Sequence, residues 1–212
     1  MLRGLSRGSA VSARGPSGHG PAGAALKYLP GLLLLLWLPP LAAAVVSGPL
    51  LIVDSSQSRF EISVKSTIDS FVAELRDFDA SIRVAAQTGQ AEAAVFRFNF
   101  ASIKTGKADR DHDMNEWQQT TQFPEVVFTL TALEPAAGGG FLARGQLRFH
   151  GVELPVSFPV AIELKNPVVT LDGDAAIDTR DYGLLVIKKY LVLKVDPVVH
   201  VHCHLQGRLA SS

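Results

Sequence analysis

The run VELPVSFPVAIEL, residues 152–164, shows the longest strict alternation of apolar and other side chains in the sequence. Successive side chains of a strand point to opposite faces of a sheet, so this run predicts a long strand with one buried and one wet face. Because proline cannot donate to a ladder, the strand should be bent or poorly paired at Pro155 and Pro159 on its wet face. The apolar face consists of Val152, Leu154, Val156, Phe158, Val160, Ile162 and Leu164.

The same period of two recurs along much of the chain. It is visible in RFEISVK (59–65), AVFRFNF (94–100) and FLARGQLRFH (141–150). Turn-forming residues punctuate the runs, in QTGQ (87–90), AAGGG (136–140) and HGVEL (150–154). Half-buried strands joined by tight turns predict an all-β fold, either an antiparallel sheet, a sandwich or a barrel.

One segment, KADRDHDMNEWQQTTQFP (107–124), breaks this pattern because it has few β-branched residues and many helix formers. It predicts a short helix that Asp109 caps and that presents Met114 and Trp117 on one face. Pro124 should end the excursion before the next strand.

The first fifty residues differ from the rest in charge and hydropathy. They carry Arg3, Arg7, Arg14 and Lys27 and no acid, which leaves 16 basic against 20 acidic groups in the remainder. An acidic body gives no electrostatic footprint for nucleic acid. The order of a basic segment, an apolar run (29–46) and small residues predicts a signal peptide over 1–44, a linker over 45–49 and one domain over 50–212. An uncleaved membrane anchor is the alternative.

The wide apolar faces leave two interpretations of the interior open. About eight strands, each giving several apolar side chains to one face, can close into a barrel. Such a barrel is either filled by its own side chains or holds one small ligand in its lumen. The period of two does not distinguish a full barrel from a hollow one.

Five segments in order resemble the YceI-like family of secreted, lipocalin-like proteins, although no single one of them is specific. The resemblance covers Leu50 to Leu209. The segments are VDSSQSRFEISVK (53–65), FASIKTGKADRDHDMNEWQQTTQFPEVVFTLTAL (100–133), GQLRFHGVELPVSFPV (145–160), AAIDTRDYGL (175–184) and VDPVVHVHCHL (195–205).

The resemblance implies an extended antiparallel eight-stranded lipocalin-like barrel with a short helix beside it. It also implies an elongated hydrophobic pocket for an isoprenoid lipid of the quinone or polyprenyl type, a periplasmic or secreted location, no cofactor and no catalysis. The sequence contains neither a G-x-S-x-G nor an H-E-x-x-H motif, although an enzyme acting on a bound lipid stays a minor alternative. Transient membrane contact and the oligomeric state, a dimer included, are left open.

Strand faces then predict which residues line the pocket. Arg110, Asp111 and His112 are candidates for a polar rim at its mouth, and the alternative for them and Asp113 is a solvated first helical turn. The predicted lining consists of Phe60, Ile62, Val64, Phe96, Phe98, Phe128, Leu147, Phe149, Val156, Phe158 and Ile177.

The stretch HVHCHLQ (200–206) suggests a metal site, since imidazole and thiolate are ligands of zinc and copper. In a strand, however, His200, His202 and His204 lie on one face while Cys203 points the other way. We therefore expect a histidine row on the wet face and a thiol among the apolar side chains. Metal binding by the three histidines is the alternative function.

Overall fold

The computed structural model describes residues 48–85, 90–165, 167–189 and 193–210, which are mostly strand. The described residues hold one α-helix, α1 (Ala108–Gln118), and two short 3₁₀ helices, Phe100–Ser102 and Thr179–Tyr182. The strands are β1 (Leu50–Val53), β2 (Arg59–Val64), β3 (Phe71–Leu75), β4 (Asp79–Val84), β5 (Ala91–Asn99), β6 (Glu125–Pro135), β7 (Phe141–Phe149), β8 (Val152–Lys165), β9 (Val168–Asp178), β10 (Lys188–Lys189), β11 (Leu193–Lys194) and β12 (Val198–Leu209).

Eight of these strands close into an antiparallel barrel, which confirms the predicted fold. Their order around the ring is β1-β4-β5-β6-β7-β8-β9-β12, and β1 pairs back onto β12. The hairpin of β2 and β3 adds to the same edge of β12, because β12 pairs with β2 over His200–His204 and with β1 over Gly207–Leu209. β10 and β11 form a separate two-stranded ribbon.

β8 is the long strand that its alternation predicted, and it is incompletely paired as its prolines predicted. It pairs with β7 from Val152 to Val160, with Pro155 opposite Gln146 and Pro159 opposite Leu142. Its pairing with β9 begins only at Val160. Both prolines therefore lie in the half of β8 that has a ladder on one side only.

The turns agree with the sequence where the structure describes them. His150 and Gly151 join β7 to β8 with φ angles of 48° and 73°, the pair of positive values that a two-residue type I′ turn requires. At AAGGG, the Ala136 amide donates to the Gly140 carbonyl at 3.1 Å. Most of QTGQ lies outside the described residues, and the Ala85 amide donates across it to the Gln90 carbonyl at 2.8 Å.

The helix is present, but the prediction that Asp109 caps it is wrong. Lys107 is the N-cap residue and makes no side-chain cap hydrogen bond. Asp111 instead fixes the start of the helix, because its Oδ1 accepts from the amide of Thr105 at 2.8 Å and from its hydroxyl at 2.6 Å. Met114 and Trp117 pack against the core, as their spacing predicted.

The buried apolar side chains form two clusters. One lies near α1 and includes Leu75, Phe100 and Phe149, while the other includes Ile82 and Leu205. The predicted signal peptide and most of the linker lie outside the described residues, and their boundaries stay predictions. Among the residues described, no helix has the length and apolar character needed to cross a membrane.

We predict that Gly151→Ala destabilises the fold. A Cβ at this position would meet the Phe123 ring at 2.8 Å, and the residue has a φ of +73°. The left-handed conformation alone costs a non-glycine residue about 1–2 kcal/mol. Urea unfolding should therefore show a lower midpoint for Gly151→Ala.

Gly138→Ala is the matched control, since a Cβ there has no atom within 4 Å. Its unfolding midpoint should stay close to that of the unchanged protein. Equal midpoints for the two variants would contradict the role given to the β7–β8 turn.

Candidate functional site

The interior of the barrel holds a cavity of about 200 Å³, which we call the inner chamber. All of its lining residues are apolar, if the Cys203 thiol is counted with them. It is lined by ten of the eleven residues that the strand faces predicted: Phe60, Ile62, Phe96, Phe98, Phe128, Leu147, Phe149, Val156, Phe158 and Ile177.

A chain of aromatic rings runs across the inner wall. The ring centroids of Phe60 and Phe96 are 6.0 Å apart, those of Phe96 and Phe128 6.2 Å, and those of Phe128 and Phe158 5.4 Å. Each ring comes from a different strand, so the wall depends on the register of the sheet. A Cβ at Gly145 would lie 2.3 Å from the Phe128 ring, so only glycine leaves room for that ring.

A second cavity of about 1190 Å³, which we call the outer chamber, lies between α1, the β2–β3 hairpin and residues 185–188 and 193–197. Val64, the eleventh predicted residue, lines this chamber. The two chambers share Ile62, Phe100, Ile103, Phe149 and Val199 in their walls. They therefore adjoin at these five side chains, and the inner chamber is apolar whereas the outer chamber is partly polar.

Of the three rim candidates, only Arg110 lines the outer chamber. Its guanidinium carbon lies 3.9 Å from the centre of the Phe71 ring, and its Nη2 is 3.4 Å from an Asp69 carboxylate oxygen. The aromatic face and the carboxylate hold the side chain of Arg110 at the chamber wall.

Asp111 and His112 do not line either chamber, which corrects the expectation that they share the rim with Arg110. Consecutive residues of a helix point about 100° apart, and this rotation directs Asp111 and His112 away from the chamber that Arg110 lines. Asp111 is bonded to Thr105, and the exposed imidazole of His112 lies 3.2 Å from the Glu116 carboxylate.

Sequence reasoning missed the part of the outer chamber that does not come from barrel strands. Val186, Ile187 and Leu193 line it, together with Trp117 of α1. The signal available was the apolar run LLVI at 184–187, which begins at the last residue of the family-like segment AAIDTRDYGL (175–184). A run without period two does not reveal which of its side chains face a pocket.

The histidine row lies on the outer face of β12, as predicted. His202 Nδ1 is 2.9 Å from Asp174 Oδ1, and His204 Nδ1 is 2.6 Å from Asp172 Oδ1. These carboxylates are the direct cross-strand neighbours on β9, whereas the exposed His200 has Ala176 there. Among the described residues, no group of three or more His, Cys, Asp or Glu side chains could hold a metal ion, so the metal alternative is not supported.

Cys203 points into the barrel, opposite to the histidines, and lines the inner chamber. Burial raises the pKa of its thiol to about 12. A Cβ at Gly173 would lie 2.9 Å from the Cys203 sulfur, so the glycine on the neighbouring strand makes room for it. The thiol therefore behaves as a small apolar wall group.

Comparisons with known proteins agree with this architecture. A family model described as the YceI-like domain matches residues 52–207. No curated protein matches the sequence.

Similar solved structures share the fold at low sequence identity. The crystal structure of Burkholderia cenocepacia BcnA is 20% identical, with a TM-score of 0.65 over 73% of this chain and 99% of that one. A Campylobacter jejuni YCEI protein is 14% identical, with a TM-score of 0.60 over 68% and 88%. A polyisoprenoid binding domain from Saccharophagus degradans, implicated in plant cell wall breakdown, is 16% identical, with a TM-score of 0.58 over 76% and 99%.

We predict that Cys203 resists alkylation in the folded protein. A thiol pKa of about 12 instead of 9.0 lowers the thiolate fraction at pH 8. Since only the thiolate reacts, iodoacetamide should modify the folded protein slower by a factor on the order of a thousand than an ordinary thiol. Mass spectrometry of timed samples measures this rate.

The same protein in denaturant is the control, because its thiol should react at the ordinary rate. Cys203 is the only cysteine, so the mass gain reports on this position alone. Comparable rates in the folded and denatured protein would show that the thiol is not held in the inner wall.

Proposed function

The chain belongs to the YceI-like family, and from this premise we propose that its barrel binds one long apolar lipid of the isoprenoid type. The observation that carries the proposal is the pocket itself, a wholly apolar inner chamber that adjoins a larger, partly polar outer chamber. The S. degradans domain of similar fold is described as polyisoprenoid binding, which supports the same ligand class here.

The size of the two chambers favours a long ligand over a compact one. The inner chamber, at about 200 Å³, is smaller than the ~300–1,000 Å³ of most ligand pockets. We infer that the ligand fills the inner chamber with its tail and extends past the shared wall residues into the outer chamber. A chain that buries several hundred Å² of apolar surface gains on the order of 10 kcal/mol before entropy costs, at ~25 cal/mol per Å².

The chemistry of the walls orients this ligand. A polar group placed in the inner chamber would lose its hydrogen bonds to water and find no partner, which costs several kcal/mol. The hydrocarbon tail therefore belongs in the inner chamber and the head group in the outer one. There Arg110, Ser66 and Thr179 supply polar side chains that can meet a quinone or prenol head.

Binding, rather than a reaction, is the role that the pocket supports. The one thiol in the inner wall has a pKa of about 12, which leaves it a poor nucleophile at neutral pH. A protein that encloses a lipid without transforming it can carry, store or sense that lipid. The basic and apolar N-terminal sequence, followed by small residues, supports export to the periplasm.

The direct test is organic extraction of the protein purified from its native source, followed by mass spectrometry of the extract. We expect one equivalent of a lipid with repeated C5 units. An extract without any such lipid would contradict the proposal.

We predict that Ala175→Phe abolishes lipid binding without unfolding the protein. Ala175 lines the inner chamber on β9, so a phenyl ring there would occupy the space of the ligand. Because the ring enters an existing cavity, the free energy of unfolding should fall by less than the about 1–3 kcal/mol that overpacking of a filled core costs. Lipid content and thermal unfolding are the two measurements.

Ala176→Phe is the matched control, because the next residue of the same strand is exposed on the outer face. It should keep the lipid content of the unchanged protein. If both variants kept their lipid, the inner chamber would not be the binding site.

A further inference from the structure

Two strongly exposed apolar side chains flank the outer chamber. Leu185 is 82% exposed and Ile68 is 65% exposed, and both belong to the chamber lining. Single exposed apolar residues are common on protein surfaces. Two of them together at the mouth of an apolar pocket are typical of a binding surface.

The surrounding backbone holds these two side chains in place. Trp117 Nε1 donates to the Leu185 carbonyl at 2.8 Å, which ties the segment before β10 to α1. The Thr67 amide donates to the Lys194 carbonyl at 3.0 Å, and the Lys194 amide donates to the Thr67 hydroxyl at 3.1 Å. Ile68 is therefore adjacent to a residue that is bonded to the β10–β11 ribbon.

The ribbon adds two lysines to the same surface. Lys188 and Lys194 are exposed and stand directly opposite each other in the β10–β11 register. Within the described part of the chain, neither side chain makes an ion pair. Like charges at opposed positions destabilise a strand pair. An anionic partner that lies over both lysines would therefore offset their electrostatic repulsion.

We propose that Ile68, Leu185, Lys188 and Lys194, the docking surface, seat the protein on an anionic lipid bilayer. The apolar side chains enter the head-group region and the lysines meet the lipid phosphates, a combination that interfacial segments use. The inference rests on the proposed function in one respect, because docking here brings the outer chamber to the membrane that supplies its lipid. The hydrocarbon tail then passes into the barrel without crossing water.

Charged residues of both signs line the outer chamber. On and beside α1 these are Lys107, Asp109, Arg110, Asp113 and Glu116, and on the hairpin and ribbon side they are Asp69, Lys188 and Asp196. An anionic surface repels carboxylates, so we place the contact at residues 185–188, a run of the lining without an acidic residue. Trp117 lies next to this run, because its Nε1 donates to the Leu185 carbonyl.

The test uses the chain from residue 45 onward, which contains the whole closed ring of strands and lacks the apolar N-terminal run. Trp117 is its only tryptophan, since the other one is Trp37. Vesicles of brominated phosphatidylcholine with roughly 30% phosphatidylglycerol should quench Trp117 fluorescence, and vesicles without the anionic lipid should quench it much less. No quenching by the anionic vesicles would overturn the proposal.

Variants locate the contact. The double variant Ile68→Ser and Leu185→Ser should lose binding, and Lys188→Ala or Lys194→Ala should each weaken it by about fivefold. Ile52→Ser is the apolar control, because Ile52 is 64% exposed and pairs with Arg208, about 30 Å along β12 from the chamber. Lys165→Ala, at the far end of β8, is the matched charge control, and equal loss in control and test variants would overturn the proposal.

Lipid extraction separates this inference from the proposed function. Protein that yields its lipid but fails to bind anionic vesicles would refute the docking surface and leave the proposed function standing. Protein that binds the vesicles through the named residues but yields no lipid would support docking and refute the lipid-binding proposal.

Discussion

The closure of the sheet, where Leu51 of β1 pairs with Leu209 of β12, is the constraint on which the pocket depends. In an open sheet, the alternating apolar side chains could be covered by another layer. In a closed ring they all converge on one lumen, where they meet each other or a ligand. The aromatic chain from Phe60 to Phe158 and the wholly apolar inner chamber are direct results of that geometry.

The sequence contained enough information for the barrel wall but not for its mouth. Period two assigned Phe96 and Val156 to the inner face because a strand has only two faces to choose from. The mouth is built by α1 and by residues 185–188 and 193–197, which are mostly not strand, so the choice between two faces does not apply to them. The order Arg110, Asp111, His112 shows the difficulty, since it looked like one polar cluster until the turn of the helix separated the three side chains.

The inner and outer faces of β12 have different roles. Its inner face contributes Val201 and Cys203 to the chamber wall, and its outer face carries the histidines. The bonds of His202 to Asp174 and of His204 to Asp172 join β12 to β9 on the outside of the barrel. Asp174 lies just beyond the stretch of β9 that β8 still pairs, so the His202–Asp174 contact adds to the one ladder, with β12, that remains there.

The incomplete pairing of β8 and β9 has a mechanical consequence. From Val152 to Pro159, β8 has no ladder to β9 among the described residues, and we call this gap the seam. Next to the seam, His150 Nδ1 lies 2.9 Å from the Tyr182 carbonyl oxygen, which joins the turn before β8 to the 3₁₀ helix after β9. Pro155 and Pro159 each lack a backbone N–H, so β8 has no donor for β9 at these two positions. A change in the diameter of the barrel at the seam would therefore break no β8–β9 backbone hydrogen bond. This property suits a ligand whose width varies along its length.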